Sequence, residues 1–380
     1  MTGRGIYITD NGPRRRHENR RHFSEEREVT DVKKLLIYRM GSLGDTVVAL
    51  PVFHMLARVF SNAERRVLTN RPINSDAAAI QAVLGDGGFV DGYFSYPHGT
   101  RNFGALNDLR KSIRDWSPDL VIYLNEPRGN LVQFRDIIFL KMCGAHNIIG
   151  VPATAELSKH FPLREHDLWE AEASRVGRCV ADIGMVDLDD AQNWSLNFTS
   201  AEEKQAQAAI SNWEGRDRFI AFSIGAKIDF KSWGDNRWAD LLAKISSDHP
   251  ELGLVFLGGP NDGERSQIAA QGWTGPKLDL CGKLTPRESA LVMRGAEVFM
   301  GHDSGPMHLA ASVGTPSVCV FSTHAKPGIW FPCGLQHRIL YPGLQWSGGE
   351  PLAMREAKGE TNITLIPNSD VEEAFNSLLK

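Results

Sequence analysis

Residues 34–60 read KLLIYRMGSLGDTVVALPVFHMLARVF, and the reading of this stretch decides the fold. Lys34 to Met40 is a short apolar run that ends at a glycine turn, the pattern of a strand buried on both faces. Gly41-Ser42-Leu43-Gly44-Asp45 is the turn. Beyond it Val52, Met55, Leu56, Val59 and Phe60 recur at the spacing of one apolar helix face. Pro51 suits either the first turn of that helix or a kink in a helix that starts nearer Asp45. Strand, glycine turn and helix together form the opening unit of a parallel α/β sheet.

The same alternation runs outward along the chain. Strands are predicted at 66–69, 92–96, 119–124 and 147–151, with helical runs near 104–116, 130–142 and 170–184. The pattern weakens between 186 and 198 and restarts where Thr199 and Glu202 have capping-box spacing. Further strands are predicted at 219–224, 254–257, 277–280, 298–300 and 317–321, alternating with helices near 236–248, 262–271, 286–295 and 305–313. The expected organisation is a basic flexible arm (1–32), a first Rossmann-like domain (33–190), a second (198–366) and a closing helix (367–380) after Pro367. Each domain is a doubly wound sheet.

Composition limits the function. At 380 residues the length gives a prior of about 2.5 domains. A hydrophobic fraction of 42% and a charged fraction of 23% are those of a globular chain. Lys and Arg number 42 against 46 Asp and Glu, a net charge of −4, so no basic domain for nucleic acid is indicated. Five cysteines stand without a CxxC pair, which excludes a zinc knot and fits a reducing compartment. No run approaches the roughly 20 apolar residues of a membrane span. The first 30 residues have no apolar h-region, so the expected location is cytoplasmic. Arg14, Arg15, Arg16, Arg20 and Arg21 in the arm could touch an anionic membrane surface, or form a solvated tail with Glu25, Glu26 and Glu28.

Ligands of parallel sheets bind at the carboxyl ends of strands, which directs attention to two turns. In the first, Gly41 and Gly44 let backbone N–H groups approach a ligand, and Asp45 stands at a helix start, where a carboxylate either caps the helix or serves a site. The second is Met300-Gly301-His302-Asp303-Ser304-Gly305-Pro306-Met307-His308. There Ser304 can cap, Pro306 suits the first helical position, and the helix N-terminus with its free N–H groups suits a diphosphate. Asp303 would lie beside it, and His308 either donates to a phosphate or packs inside. Asp187-Leu188-Asp189 spells D-x-D but falls between the halves, away from a strand end. No HExxH, GxxxxGK[ST] or GxSxG occurs, and the first turn is not GxGxxG; metal-activated water, NTP hydrolysis, acyl transfer and a nicotinamide cofactor are not indicated.

LLIYRMGSLGDTVVALP (35–51) and FMGHDSGPMHLAASVGTPSVCVF (299–321) together resemble glycosyltransferase family 9, the heptosyltransferases. That family carries R-x-[SG]-x-[LM]-G-D-x-x-x-x-[LT]-P near its start and G-x-D-[ST]-G-[PL]-x-H-[LI]-A-[AS]-[AS]-x-G-x-P in its second half. The resemblance runs from about residue 33 to 380 and leaves the arm unexplained. It implies a GT-B fold and an inverting, metal-independent enzyme without a cofactor. The donor would be ADP-heptose, typically ADP-L-glycero-β-D-manno-heptose, and the acceptor lipopolysaccharide core or a related glycan.

By motif match Asp45 would be the general base, with Gly41, Ser42 and Gly44 around it. Ser304 and Gly305 would hold the pyrophosphate and Asp303 a sugar or ribose. Ser223-Ile224-Gly225-Ala226-Lys227 through Trp233 resembles the family's PGA…K-x-W stretch, which makes Lys231 the phosphate-neutralising lysine ahead of Lys227. Asp262 or Glu264 corresponds to an acid that binds the nucleotide ribose. Arg101, Arg128 and Arg135 lie where the family places cations for acidic acceptors. The chain departs from the family at Ile224, where proline is usual, and at Asn125-Glu126-Pro127-Arg128-Gly129, where D-x-Q-G is usual; the second departure leaves the acceptor open. Transfer of another sugar to a small molecule or protein, a non-catalytic sugar-nucleotide-binding protein and an epimerase acting on the nucleotide-sugar alone are the competing readings. The tryptophans are read as core.

Overall fold

The computed structural model describes residues 31–71, 79–97, 103–163, 168–226, 231–342 and 363–379. The basic arm, Lys227 and Arg101 lie outside the described residues.

Two parallel sheets carry the architecture. In the first, β1 (Lys34–Tyr38), β2 (Glu64–Arg71), β3 (Gly92–Pro97), β4 (Leu120–Tyr123) and β5 (Ile148–Ile149) run in the order β3-β2-β1-β4-β5. In the second, β6 (Phe219–Ser223), β7 (Gly253–Phe256), β8 (Lys277–Asp279), β9 (Val298–His302), β10 (Ser317–Val320) and β11 (Arg338–Leu340) run β11-β10-β9-β6-β7-β8. The strand order reverses beside β1 and β4 in one sheet and beside β9 and β6 in the other, and such reversals leave an open crevice at the carboxyl ends. Burial accounts for the apolar strands: Leu35 and Ile37 face one core, and Leu36 and Tyr38 face the other.

Helices cover both faces. The first sheet carries α1 (Leu43–Val48), α2 (Leu50–Val59), α3 (Ile80–Leu84), α4 (Phe103–Trp116), α5 (Asn130–Met142), α6 (Ala155–Ser158) and α7 (Glu172–Cys179). The second carries α8 (Ser200–Ile210), α9 (Asp235–Asp248), α10 (Asp262–Ala269), α11 (Pro286–Arg294), α12 (Gly305–Ser312) and α13 (Asn368–Asn376). Both readings of Pro51 hold in part. A short helix starts beside Asp45, breaks at Ala49, and a second begins with proline in its first turn. The capping box at Thr199 is present. The terminal helix packs Val371, Ala374 and Phe375 into the core of the second sheet.

One hydrophobic cluster is continuous through both halves, from Leu35 and Val47 to Met307 and Leu309. A polar knot ties the halves together. Buried Arg287 of α11 donates to the carbonyls of Val83, Leu84, Leu196 and Asn197 and pairs with Glu202 at 2.5 Å, which holds the Glu202 carboxyl down at about 2. Among the described residues no helix is long and apolar enough to cross a membrane.

Candidate active site

The first crevice is built by the segments that leave β1 and β4. Met40 N–H donates to Asn125 Oδ1 at 2.5 Å, and the buried Arg39 guanidinium donates to the Leu124 carbonyl, so the two strand ends are tied together. Arg39 also donates to the Asp45 carbonyl at 2.5 Å. The Asp45 carboxylate folds back over its own turn, where Oδ2 accepts from Ser42 N–H at 2.5 Å and from the Ser42 hydroxyl at 2.7 Å. Gly41 is required there: a Cβ on it would fall 2.6 Å from that of Asp45. Burial raises the proton affinity of Asp45. The Arg39 charge and the Ser42 donors outweigh it and hold the carboxyl below its ordinary value.

Glu126 stands within hydrogen-bond reach of Asp45. Burial, together with Asp45 and Glu172 nearby, pushes its carboxyl up to about 7. The two therefore form a carboxyl–carboxylate pair sharing a proton below neutrality. Glu172 is itself buried and bonded to Arg175 at 2.5 Å and His160 at 2.9 Å; these partners overcome desolvation and keep it ionised. Two buried donors of this crevice, Arg39 Nε and Asn125 Nδ2, have no hydrogen-bond partner among the described residues.

The second crevice lies between the segments that leave β6 and β9. Lys231 Nζ contacts Asp303 Oδ2 at 2.5 Å across it. Buried His302 at the end of β9 fixes this arrangement, its Nε2 accepting from Trp233 N–H at 2.9 Å and Trp238 Nε1–H at 3.1 Å. Burial depresses its pKa to about 3, so it stays a neutral acceptor. Helix α12 begins beside Asp303. Its N-cap Ser304 makes no side-chain cap; the hydroxyl donates to the His302 carbonyl at 3.2 Å instead. The N-terminal turn of α12, at the positive end of the helix dipole, is thus without a side-chain cap from Ser304.

The crevices meet where α1 and α12 touch by their N-terminal turns. A Cβ on Gly44 would approach His308 Cδ2 to 3.1 Å, and one on Gly305 would approach Leu43 Cβ to 3.1 Å. His308 is buried, which lowers its pKa, and it feels the charges of Asp303, Asp45 and Lys231 together. Front-half and back-half motifs therefore surround one imidazole.

Other expected residues land elsewhere. The Asp262 carboxylate accepts from Gly259 N–H at 2.8 Å and lies against the backbones of Gly225 and Gly258, bracing its own turn; Glu264 is exposed. Arg128 is engaged with Asp136 at 2.6 Å beside Tyr38 and Tyr123, with about a third of its side chain open. Arg135 is exposed and bonds the same carboxylate at 3.0 Å. Asp187 of the D-x-D sequence accepts from Asp189 N–H at 3.0 Å in a local turn. Of the tryptophans read as core, Trp116, Trp213 and Trp238 are buried, whereas Trp169 and Trp194 are only half-buried. Sequence reasoning missed the partnership of Glu126 with Asp45 and the role of Arg39. The second had a signal, a cation inside an apolar run.

Two Rossmann-like domains whose switch-point crevices meet are the GT-B architecture, and comparison with solved structures agrees. A glycosyl transferase family 9 protein from Veillonella parvula DSM 2008 superposes with a TM-score of 0.70 at 18% identity, covering 91% of this chain and 97% of that one. E. coli heptosyltransferase WaaC with ADP superposes at 0.61 with 15% identity, covering 91% and 99%. In sequence, the chain is 21% identical to lipopolysaccharide heptosyltransferase 3 of E. coli K12 over 88% of its own length and 95% of the relative's. A second heptosyltransferase 3 from E. coli is 24% identical over 49% of the chain, which spans only 54% of that relative. The model of glycosyltransferase family 9 (heptosyltransferase) matches residues 144–344. The chain belongs to glycosyltransferase family 9.

Proposed function

We propose that the chain transfers a heptose from ADP-heptose to a hydroxyl of lipopolysaccharide core or a related glycan, in the cytoplasm, by one inverting displacement without a metal. The observation that carries this reading is the convergence on His308 of an ionised carboxylate from one half and an anion-binding turn from the other. The relatives named as lipopolysaccharide heptosyltransferases, and a structural neighbour solved with ADP-2-deoxy-2-fluoro heptose, support the choice of donor and acceptor.

In this reading Asp45 takes the proton as the acceptor oxygen attacks the anomeric carbon. Gly41 and Ser42 hold its carboxylate, and Gly44 admits the partner helix. The bond from the anomeric carbon to the diphosphate oxygen breaks, and ADP leaves with the electron pair. Lys231 and the N–H groups of Ser304, Gly305 and the turn that follows stabilise the departing charge. Asp303, released from Lys231 by the phosphate, accepts hydroxyls of the sugar. His308 stays neutral and lines the junction. Asp262 keeps the Gly258–Gly259 turn open to the ribose, and Arg128 offers its exposed edge to an acidic acceptor group.

The test is an incubation of the purified chain with ADP-heptose and heptose-deficient core oligosaccharide, with and without EDTA. The expected result is ADP release that requires both substrates, survives EDTA, and gives a product of opposite anomeric configuration. ADP release without acceptor, retention of configuration, or turnover with another nucleotide-sugar alone would overturn the reading.

A further inference from the structure

Helix α5 carries apolar side chains on its outward face as well as its inward one. Its inward residues include Gln133 and Asp136, both buried, with Leu140. Its outward residues include Leu131, Phe134, Ile138 and Met142, which are 87%, 63%, 40% and 51% exposed. At 100° per residue these four side chains fall within about 80° of one face. Arg135 and Lys141, both exposed, stand on opposite margins of that stripe, each about 20° beyond its edge. Asp136 is the acid of the helix and its side chain is 3% exposed, so the outer face carries cations and no anion.

We infer that this face of α5 docks on an anionic lipid surface, with the four apolar side chains entering the boundary between headgroups and acyl chains. An apolar stripe with basic residues along both margins is the pattern of a helix lying in a membrane interface, where the cations meet lipid phosphates while the apolar groups leave water. Dimension decides against a second copy. A helix of 13 residues is about 20 Å long and the stripe is one side chain wide, on the order of 200 Å², against roughly 800 Å² per partner in a stable complex. A self-paired stripe would also bring like cations together. The helix starts at Asn130, with Gly129 between it and the Glu126-Pro127-Arg128 segment, so its amino end lies near the first crevice, and a docked α5 would hold that crevice beside the lipid surface.

The experiment is flotation of the full chain, without nucleotide, with vesicles of phosphatidylcholine alone and of phosphatidylcholine mixed with phosphatidylglycerol. It compares the native chain with the double variant Leu131→Asp and Phe134→Asp, whose exposed positions leave the core untouched. A separate Leu131→Cys variant carries an environment-sensitive fluorophore. Selective binding to the anionic vesicles is expected, with the double variant weakened by more than about tenfold and a blue shift of the label on vesicle addition. Equal binding by the double variant overturns the inference, and would shift attention to the cations of the first 30 residues. So would an unshifted label, no binding by the native chain, or a change confined to self-association. None of these outcomes depends on the reaction proposed above.

Discussion

The two switch-point crevices have the same topological origin and opposite electrostatics. The crevice beside β1 and β4 collects carboxyl groups: Asp45 and Glu126 share it, with Glu172 close enough to raise the proton affinity of Glu126 and Arg39 beneath. The crevice beside β6 and β9 instead presents Lys231, paired with Asp303, and a helix N-terminus that its own N-cap side chain does not cap. One is suited to accept a proton, the other to accept an anion. Strand order determines where a ligand can sit; which residues follow each strand determines what is done to it.

Asp45→Asn breaks the comparison on the proton side and carries the largest expected effect. The amide keeps the size of the carboxylate and removes its basicity, so kcat falls about 10²–10⁴-fold. ADP affinity, measured by calorimetry, should be unchanged because the nucleotide is assigned to the other crevice. A variant with near-native kcat would remove the base role, and a large loss of ADP affinity would merge the two sites.

Lys231→Ala tests the anion side. A charge-assisted hydrogen bond contributes about 1.5–3 kcal/mol, so the dissociation constant for ADP should rise by roughly 10–100-fold. The alanine variant also leaves Asp303 without its cation. Lys231→Ala combined with Asp303→Asn should therefore bind ADP better than the single variant, and failure of that partial recovery would show that the pair does not act as one unit.

Much of this contrast was legible in the sequence, for reasons that differ by residue. Short apolar runs bounded by glycine or polar residues gave most of the strands, because a doubly covered sheet leaves no polar face to blur the pattern. Strand β11 (Arg338–Leu340) and helices α3 and α6 escaped because three to five residues are too few to set a period. The glycines at 41, 44 and 305 read as places where backbone could approach a ligand; in the structure a Cβ at each would meet Asp45, His308 and Leu43 respectively. Proximity of Glu126 to Asp45 was not legible. They are far apart in sequence and meet only because β4, rather than β3, lies beside β1. The outward face of α5 escaped for a related reason: periodicity identifies a helix, and only burial tells which side it hides.

Glu126→Gln sharpens the proton side, with an effect of several-fold at a given pH. Below about 7 the neutral Glu126 donates to Asp45 and keeps it a weak base; above about 7 both ionise, and their repulsion strengthens the base. The native kcat should therefore climb through pH about 7, while the glutamine variant, a permanent donor, keeps the acid-side rate. Stability gives a second reading. Because the folded-state affinity for the proton is raised, the contribution of Glu126 to stability is full below its ordinary value and is lost as pH rises through about 7. The native melting temperature should accordingly fall between pH 5 and 8 more than that of the variant. Parallel curves would show that the pair does not share a proton.

The smallest effect probes the junction between the crevices. Gly305→Ala places a methyl group 2.8 Å from Leu43 Cδ2 and 3.1 Å from its Cβ, and Gly44→Ala places one 3.1 Å from His308 Cδ2. The first intrudes on an aliphatic side chain across the seam, the second on a ring that can tilt by a few tenths of an ångström. Gly305→Ala should therefore be the more damaging of the two, raising the KM for donor with a modest change in stability. Trimming the obstacle should undo it. In a double-mutant cycle, Gly305→Ala with Leu43→Ala should recover about 0.5–3 kcal/mol relative to the sum of the singles. Strict additivity would mean that α1 and α12 do not press together in solution, and the two crevices would then have to be brought together by the substrates themselves.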